Sequence, residues 1–487
     1  MPAWQQPQAM RSLRRAFLRQ PLLAACYLPI DECAGATMTD PITGLVLTGG
    51  GARAGYQVGV LKGIAQIRRD AGIVSGNPFP VIAGTSAGAI NAAALATRAD
   101  DFDRAIADLV EVWANLRVGQ IYRADLPGII RTGARWLGML MFGWLIPALQ
   151  GRRPQSLLDN SPLQSSLREW VDPTRIHELM QQGCLRALAV TASSYGSGLH
   201  VTFYEAVDDI QPWTRSQRFA VRDAIAPQHL LASSAIPFVF PAVPLRIEGR
   251  IEYFGDGSMR QSAPISPAIH LGAERILVVG GGRIKEPAGP RAGCSEYPNL
   301  AQVAGHALSN IFLDSLTADA ERLQRINTTL GLLPVDALGR TTLRPIEVLM
   351  ISPSERLDDL AGKHIDSLPF AVRSLLRAVG VSGRGESARG AALVSYLLFE
   401  SAYTRELIDL GCSDTLARRD EVLRFFNWGD PSQQGEASRL QVDSRFKAWT
   451  TPDFSDTTKR GQSPQGGVRW KSVVDSQQSS NEKRFDC

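Results

Sequence analysis

The sequence predicts an α/β fold, and three stretches carry that prediction. Residues 44–48 (G-L-V-L-T) form a short apolar run that leads into Gly49-Gly50-Gly51 and then into a helical pattern. Residues 81–92 (V-I-A-G-T-S-A-G-A-I-N-A) read as an apolar strand, a sharp turn and the start of a helix. Residues 275–279 (R-I-L-V-V) read as a further core strand.

The other elements follow in chain order. After the triple glycine, Tyr56, Val60, Ile64 and Ile67 recur at helical spacing until Gly72. Gly76-Asn77-Pro78 breaks the chain before the second strand. Small residues dominate 87–96, as in a helix packed tightly under a sheet. Phe102, Ile106, Leu109, Val110, Trp113 and Leu116 mark one face of an amphipathic helix. Residues 185–192 and 199–205 read as a hairpin joined by a Gly-Ser turn. Residues 230–243, apolar with two prolines, read as a packed loop after a short helix. Residues 251–254 read as a strand ending at Gly255-Asp256-Gly257. Beyond a Pro- and Gly-rich boundary at 286–297, helical patterns occupy 303–325, 368–379 and 391–410, with one strand candidate at 346–351.

A chain of 487 residues is too long for one ordinary domain and predicts two or three structural regions. Lys+Arg 52 against Asp+Glu 48 leaves +4, too small an excess to imply nucleic-acid binding. Cys26, Cys33, Cys184, Cys294, Cys412 and Cys487 lack C-x-x-C spacing and read as reduced thiols, not a disulfide framework or zinc site. Near the N-terminus, Leu23-Ala24-Ala25-Cys26 resembles a lipoprotein cleavage box, but Arg19 and Gln20 leave the apolar run too short for a secretory core. A cytoplasmic protein is expected over an exported one, and Met38 offers an alternative start. Residues 136–149 (W-L-G-M-L-M-F-G-W-L-I-P-A-L) are the most apolar window, flanked by arginines and too short to span a bilayer, which takes about 20 residues. A buried helix or loop explains them; so does a flap that dips into a membrane interface. Residues 429–487 hold too few aliphatic side chains to fold alone and are expected to be disordered.

The chemistry is concentrated at Gly84-Thr85-Ser86-Ala87-Gly88, a G-x-S-x-G elbow that holds a serine at a strained strand-to-helix junction. Gly84 and Gly88 are required there because side chains would collide with the neighbouring strand or helix. A serine hydroxyl needs a base and oxyanion donors. The amides of Gly49, Gly50 and Gly51, at the same sheet edge, and that of Ala87 are candidate donors. Arg53 either braces this loop or attracts a phosphate-bearing substrate. The glycine run also fits a nucleotide fingerprint, G-x-G-x-x-A, but the next strand ends in Gly84-Thr85-Ser86 where that fold needs an acid. For the base, His177, His200, His229, His270, His306 and His364 each lack a recognisable loop motif. Asp256, at the end of a strand and before a polar loop, is the alternative, provided its pKa rises without losing its charge at neutral pH.

Taken in order, Gly49-Gly50-Gly51-Ala52-Arg53, Gly84-Thr85-Ser86-Ala87-Gly88 and Asp256-Gly257 resemble the signature of bacterial patatin-like phospholipases. Leu157-Leu158-Asp159 with Ser161-Pro162-Leu163, and Ala232-Ser233-Ser234-Ala235-Ile236-Pro237, are similar to further segments of that family. Ala54 follows Arg53 where the family loop often has glycine, and Ser258 follows Gly257 where the family often has glycine or alanine; both replacements are small. The resemblance implies a three-layer α/β/α sandwich and a Ser–Asp dyad without cofactor, metal or histidine. Ser86 is then the nucleophile, Asp256 the base, and Gly49, Gly50, Gly51 and Arg53 the oxyanion-hole segment. The implied substrate is a phospholipid or other lipid ester. The implied organisation is an N-terminal extension over 1–40, a catalytic domain over 41–285, a mostly helical region over 296–428 and the tail. A catalytically weak relative that binds lipid or a partner is the competing expectation.

Overall fold

The computed structural model describes residues 41–124, 156–207, 210–282 and 297–429, except 335–336, 338–339, 384 and 386–388. The expectations for 1–40, 136–149 and 430–487 lie outside the described residues.

A ten-stranded sheet organises the described chain. Its strands are β1 (Thr43–Leu47), β2 (Val81–Thr85), β3 (Ala187–Ser194), β4 (His200–Ala206), β5 (Thr214–Arg215), β6 (Arg218–Arg222), β7 (Val243–Ile247), β8 (Arg250–Asp256), β9 (Arg275–Val279) and β10 (Glu347–Ile351). The main order is β10-β9-β1-β2-β3-β4-β6-β5, with β7 on β8 and β8 on β3. Strands β10, β9, β1, β2 and β3 run parallel. Their side chains enter two buried clusters alternately: Leu45, Leu47 and Ile82 in one, Val46, Val81 and Ala83 in the other. Continuous burial on both sides explains why these strands are unbroken apolar runs.

The hairpin expected from the sequence is present as β3 and β4, antiparallel from Ala187↔Ala206 to Ser193↔His200. The helical periodicities are present too: α1 (Gly55–Asp70), α2 (Ala87–Ala96) and α3 (Phe102–Ala114). Asp101 caps α3 by accepting from the Arg104 amide, and Phe102, Ile106, Leu109 and Trp113 form its buried face. Among the later helices are α4 (Pro227–Ser233), α5 (Leu300–Gly331), α6 (Leu357–Lys363), α7 (Ala391–Leu397) and α8 (Ser401–Ala417).

Two expectations change. The helix read over 391–410 is two helices, because Glu400 is extended and the run Leu397-Leu398-Phe399 is wholly buried, which one straight helix face cannot achieve. The region read at 296–428 also contributes to the sheet and to its helical cover. Strand β10 adds to the sheet beside β9, and α8 packs on α1, where Tyr56 donates to Asp414 at 2.9 Å. Finally, Cys412 is a free thiol but Cys184 is disulfide-bonded, a pairing that spacing along the chain does not reveal. Among the described residues, no helix is long and apolar enough to cross a membrane.

Candidate active site

Ser86 and Asp256 meet because two strands share one lane beside β3. Strand β2 pairs with β3 up to Thr85↔Thr191. Strand β8 enters from the opposite direction and pairs with the next residues of β3, ending at Ala192↔Asp256. The ends of β2 and β8 therefore point at each other, and their terminal side chains converge. Ser86 Oγ donates to Asp256 Oδ2 at 2.5 Å, across 170 residues of sequence. Ser86 is 1 % exposed and Asp256 is fully buried.

The elbow is strained. Ser86 has φ 57° and ψ −131°, a region that L residues rarely adopt outside over-determined sites. What holds it is close packing. A Cβ on Gly84 would stand 2.5 Å from Ala89 Cα, and one on Gly88 would stand 2.3 Å from the Leu47 carbonyl oxygen. The α2 N-terminus thus lies directly against the end of β1, and its dipole favours negative charge near Ser86. Gly88→Ala is expected to destabilise the protein by about 3 kcal/mol through overpacking against backbone. Gly119→Ala, with nothing within 4 Å of the added methyl, is the control. Urea denaturation of both variants checks this; equal midpoints would refute it.

Ser233 is a member of the site to which the sequence assigned no role. Its Oγ accepts from the Ser86 amide at 2.8 Å and donates to the Thr191 carbonyl at 2.6 Å, tying the elbow to β3. The small-residue run 232–235 is the signal for it, since only small side chains let α4 approach this closely. The Ser86 amide is consequently occupied. The amides of Gly49, Gly50 and Gly51, just beyond β1, have no acceptor among the described residues.

Asp256 is oriented by its surroundings. Its amide donates to the Ala235 carbonyl at 2.9 Å, and its Oδ1 accepts from the Ser258 amide at 2.9 Å. Burial pushes its carboxyl up to about 6, and hydrogen bonds from Ser86 and Ser258 hold it from rising further. A carboxyl tuned in this way is mostly ionised at neutral pH yet accepts a proton readily.

Three of the histidines face carboxylates. His177 faces Glu205 at 3.0 Å, His364 faces Glu406, and His229 lies 3.5 Å from Asp223. His270 stacks on Trp213, His306 is exposed, and His200 is buried in β4. Burial pushes His200 and His270 down to about 4, so both are neutral. Arg53 points away from Ser86. Its guanidinium is buried against Ser395, Asp358 and the Tyr396 ring. Of the two roles the sequence allowed it, this contact set supports bracing.

Residues 45–269, which contain this elbow and the carboxylate opposite it, match the family described as patatin-like phospholipase. These residues form a patatin-like phospholipase domain. The patatin-like region accordingly runs from within β1 to within the segment before β9. Among solved structures, the chain is similar to VipD from Legionella pneumophila at 14 % identity, covering 76 % of this chain and 67 % of that one, with a TM-score of 0.25. It is also similar to human GIVD cytosolic phospholipase A2 in complex with methyl gamma-linolenyl fluorophosphonate and terbium chloride, at 12 % identity, 86 % and 62 % coverage and a TM-score of 0.36. The same human protein with the inhibitor alone gives 12 % identity, 80 % and 59 % coverage and a TM-score of 0.34. The patatin-like chain thus spans about three-fifths of the human protein's length, 62 % and 59 % in the two structures. No curated protein matches it by sequence.

Proposed function

We propose that this patatin-like protein is a lipid acyl hydrolase of the phospholipase A or lysophospholipase type. The observation that carries the reading is the 2.5 Å hydrogen bond from Ser86 Oγ to Asp256 Oδ2 at a strained elbow. Asp256 takes the Ser86 proton as Oγ attacks a fatty-acyl ester carbonyl. Amides of the Gly49–Gly51 loop and the α2 N-terminus receive the oxyanion. The protonated Asp256 then gives its proton to the departing alcohol oxygen, leaving the acyl group on Ser86. A water, deprotonated by Asp256, attacks that acyl-enzyme; the fatty acid leaves and the proton returns to Ser86. The same reading takes the two clusters flanking the sheet as the two interfaces of a three-layer α/β/α sandwich. The test is fatty-acid release from mixed phospholipid vesicles, with wild type and Ser86→Ala side by side. Release by both, or labelling of neither by a fluorophosphonate probe, would overturn it.

The near-complete burial of both side chains favours a second reading, a catalytically weak protein that binds lipid or a partner. Only an activated Ser86 reacts with the fluorophosphonate, so labelling separates the two. Contact with a lipid surface is a further part of the proposal and rests on the apolar, arginine-flanked sequence 136–149. Changing Trp136 and Trp144 to Ser is expected to lower co-sedimentation with anionic vesicles severalfold. Unchanged binding would mean that the segment is not the contact.

A further inference from the structure

We propose that Asp358 and Ser395 are positioning residues for the Gly49–Gly51 loop, acting through Arg53, so that α6 and α7 are parts of the hydrolytic apparatus. This rests on the lipid-hydrolase reading above.

Arg53 stands two residues after Gly51, on the short 3-10 turn Gly51–Ala54, and is 3 % exposed. A buried guanidinium persists only when its donors are matched. Here Nε donates to Ser395 Oγ at 2.8 Å, Nη2 pairs with Asp358 Oδ1, and the planar face lies 3.9 Å from the centre of the Tyr396 ring. Ser395 is itself fixed, because its Oγ donates to the Ala392 carbonyl at 2.6 Å. The other oxygen of Asp358 lies 3.9 Å from Arg356.

The backbone is keyed to the same place. Gly51 has φ +55°, and the Tyr396 carbonyl oxygen lies 2.3 Å from where a Cβ would stand. The loop is therefore gripped twice from α7: at the Gly51 backbone and at the Arg53 side chain. Its opposite flank is held by a separate buried chain. Gln57 donates to the Thr48 carbonyl at 2.7 Å, Asn91 donates to Gln57 at 3.1 Å, and Trp113 donates to Asn91 at 2.8 Å. The α6–α7 side holds the loop through a charge pair and reaches residues more than 300 positions away.

Oxyanion donors act through placement. Loss of one costs about 10²- to 10³-fold, and a misplacement of about 1 Å costs about 10²-fold. Loosening Arg53 is therefore expected to act on turnover and to leave substrate binding alone. The experiment measures kcat, KM, the pH profile and thermal melting for Asp358→Asn, Ser395→Ala and Arg53→Lys, with Asp358→Glu as the conservative variant. The expected result is a kcat lower by about 10- to 100-fold, KM within about threefold of wild type, and an unmoved acidic limb of the pH profile. Asp358→Glu should recover part of the loss. The double variant Asp358→Asn/Arg53→Lys should be no worse than the poorer single one, because both act on one contact. If Asp358→Asn fails to fold, Ser395→Ala decides, since it removes one acceptor and no charge. Folded variants with kcat within about threefold of wild type, or with losses confined to KM, would overturn the positioning role while leaving the hydrolase reading standing. An inactive wild type would overturn the hydrolase reading itself, and the positioning role with it.

Discussion

Ser86→Ala is expected to lower kcat/KM for lipid-ester hydrolysis by at least about a thousandfold without loss of fold. Removing a nucleophile from an acyl-transfer site leaves only the small acceleration that the oxyanion donors and binding supply. The fold should persist because Ser86 Oγ has one hydrogen-bond partner among the described residues, Asp256, and the elbow is held by its amide bond to Ser233 and by the contacts of Gly84 and Gly88. Asp256→Asn is expected to cost about 10³- to 10⁴-fold, the range for losing a positioned general base. The wild-type pH profile should carry the same signature. Asp256 is pushed up to about 6 by burial, so activity should fall as pH drops through about 6, in proportion to the ionised fraction. Steady-state rates from pH 4.5 to 8 check this. A flat profile, or a folded Asp256→Asn variant with normal turnover, would remove Asp256 from the role of base and return attention to the histidines.

The second large effect is on stability, and its sign is opposite. A carboxyl whose pKa is higher in the folded state than in the unfolded chain stabilises the fold while it is protonated. That contribution is complete below the unfolded value, near 4, and is lost as pH rises through about 6. At pH 7 the wild type therefore carries a buried charge whose desolvation is only partly offset by Ser86 and Ser258. Asp256→Asn removes the charge and keeps an acceptor for the Ser258 amide, and its new amide donor meets a serine oxygen. The variant is expected to be about 1–3 kcal/mol more stable than wild type at pH 7.5, at 1.36 kcal/mol per pKa unit, with the difference vanishing near pH 4. Urea unfolding at pH 4, 5.5 and 7.5 measures it. A difference that does not change with pH, or an Asn variant less stable at pH 7.5, would show that burial does not raise this carboxyl. A gain in stability accompanied by loss of activity is the usual mark of a group kept for chemistry.

Local features were legible because their causes are local. The strand–turn–helix at 81–96 follows from an apolar run, two glycines and a train of small residues, and β2 and α2 occupy it. The periodicities behind α1 and α3 and the apolar run of β9 were equally plain, because burial of one face or of both leaves its period in the sequence. Other features depend on partners far away in the chain. Neither Ser233 nor Ser395 stands out by type, and each matters only through what packs beside it. The break before Ser401 was hidden because an apolar run fits one helix as well as two.

The sequence by itself determined that a serine elbow, a glycine loop and a strand-end aspartate occur in this order on an α/β chain, because each is written in adjacent residues. Only the tertiary structure decided that β2 and β8 end face to face beside β3, that the aspartate lies fully buried there with a raised pKa, and that Arg53 turns toward α6 and α7. The physical reason is that hydrogen-bond distance, desolvation and charge pairing are set by everything within a few ångströms, and here the deciding neighbours come from segments 147 to 342 residues apart.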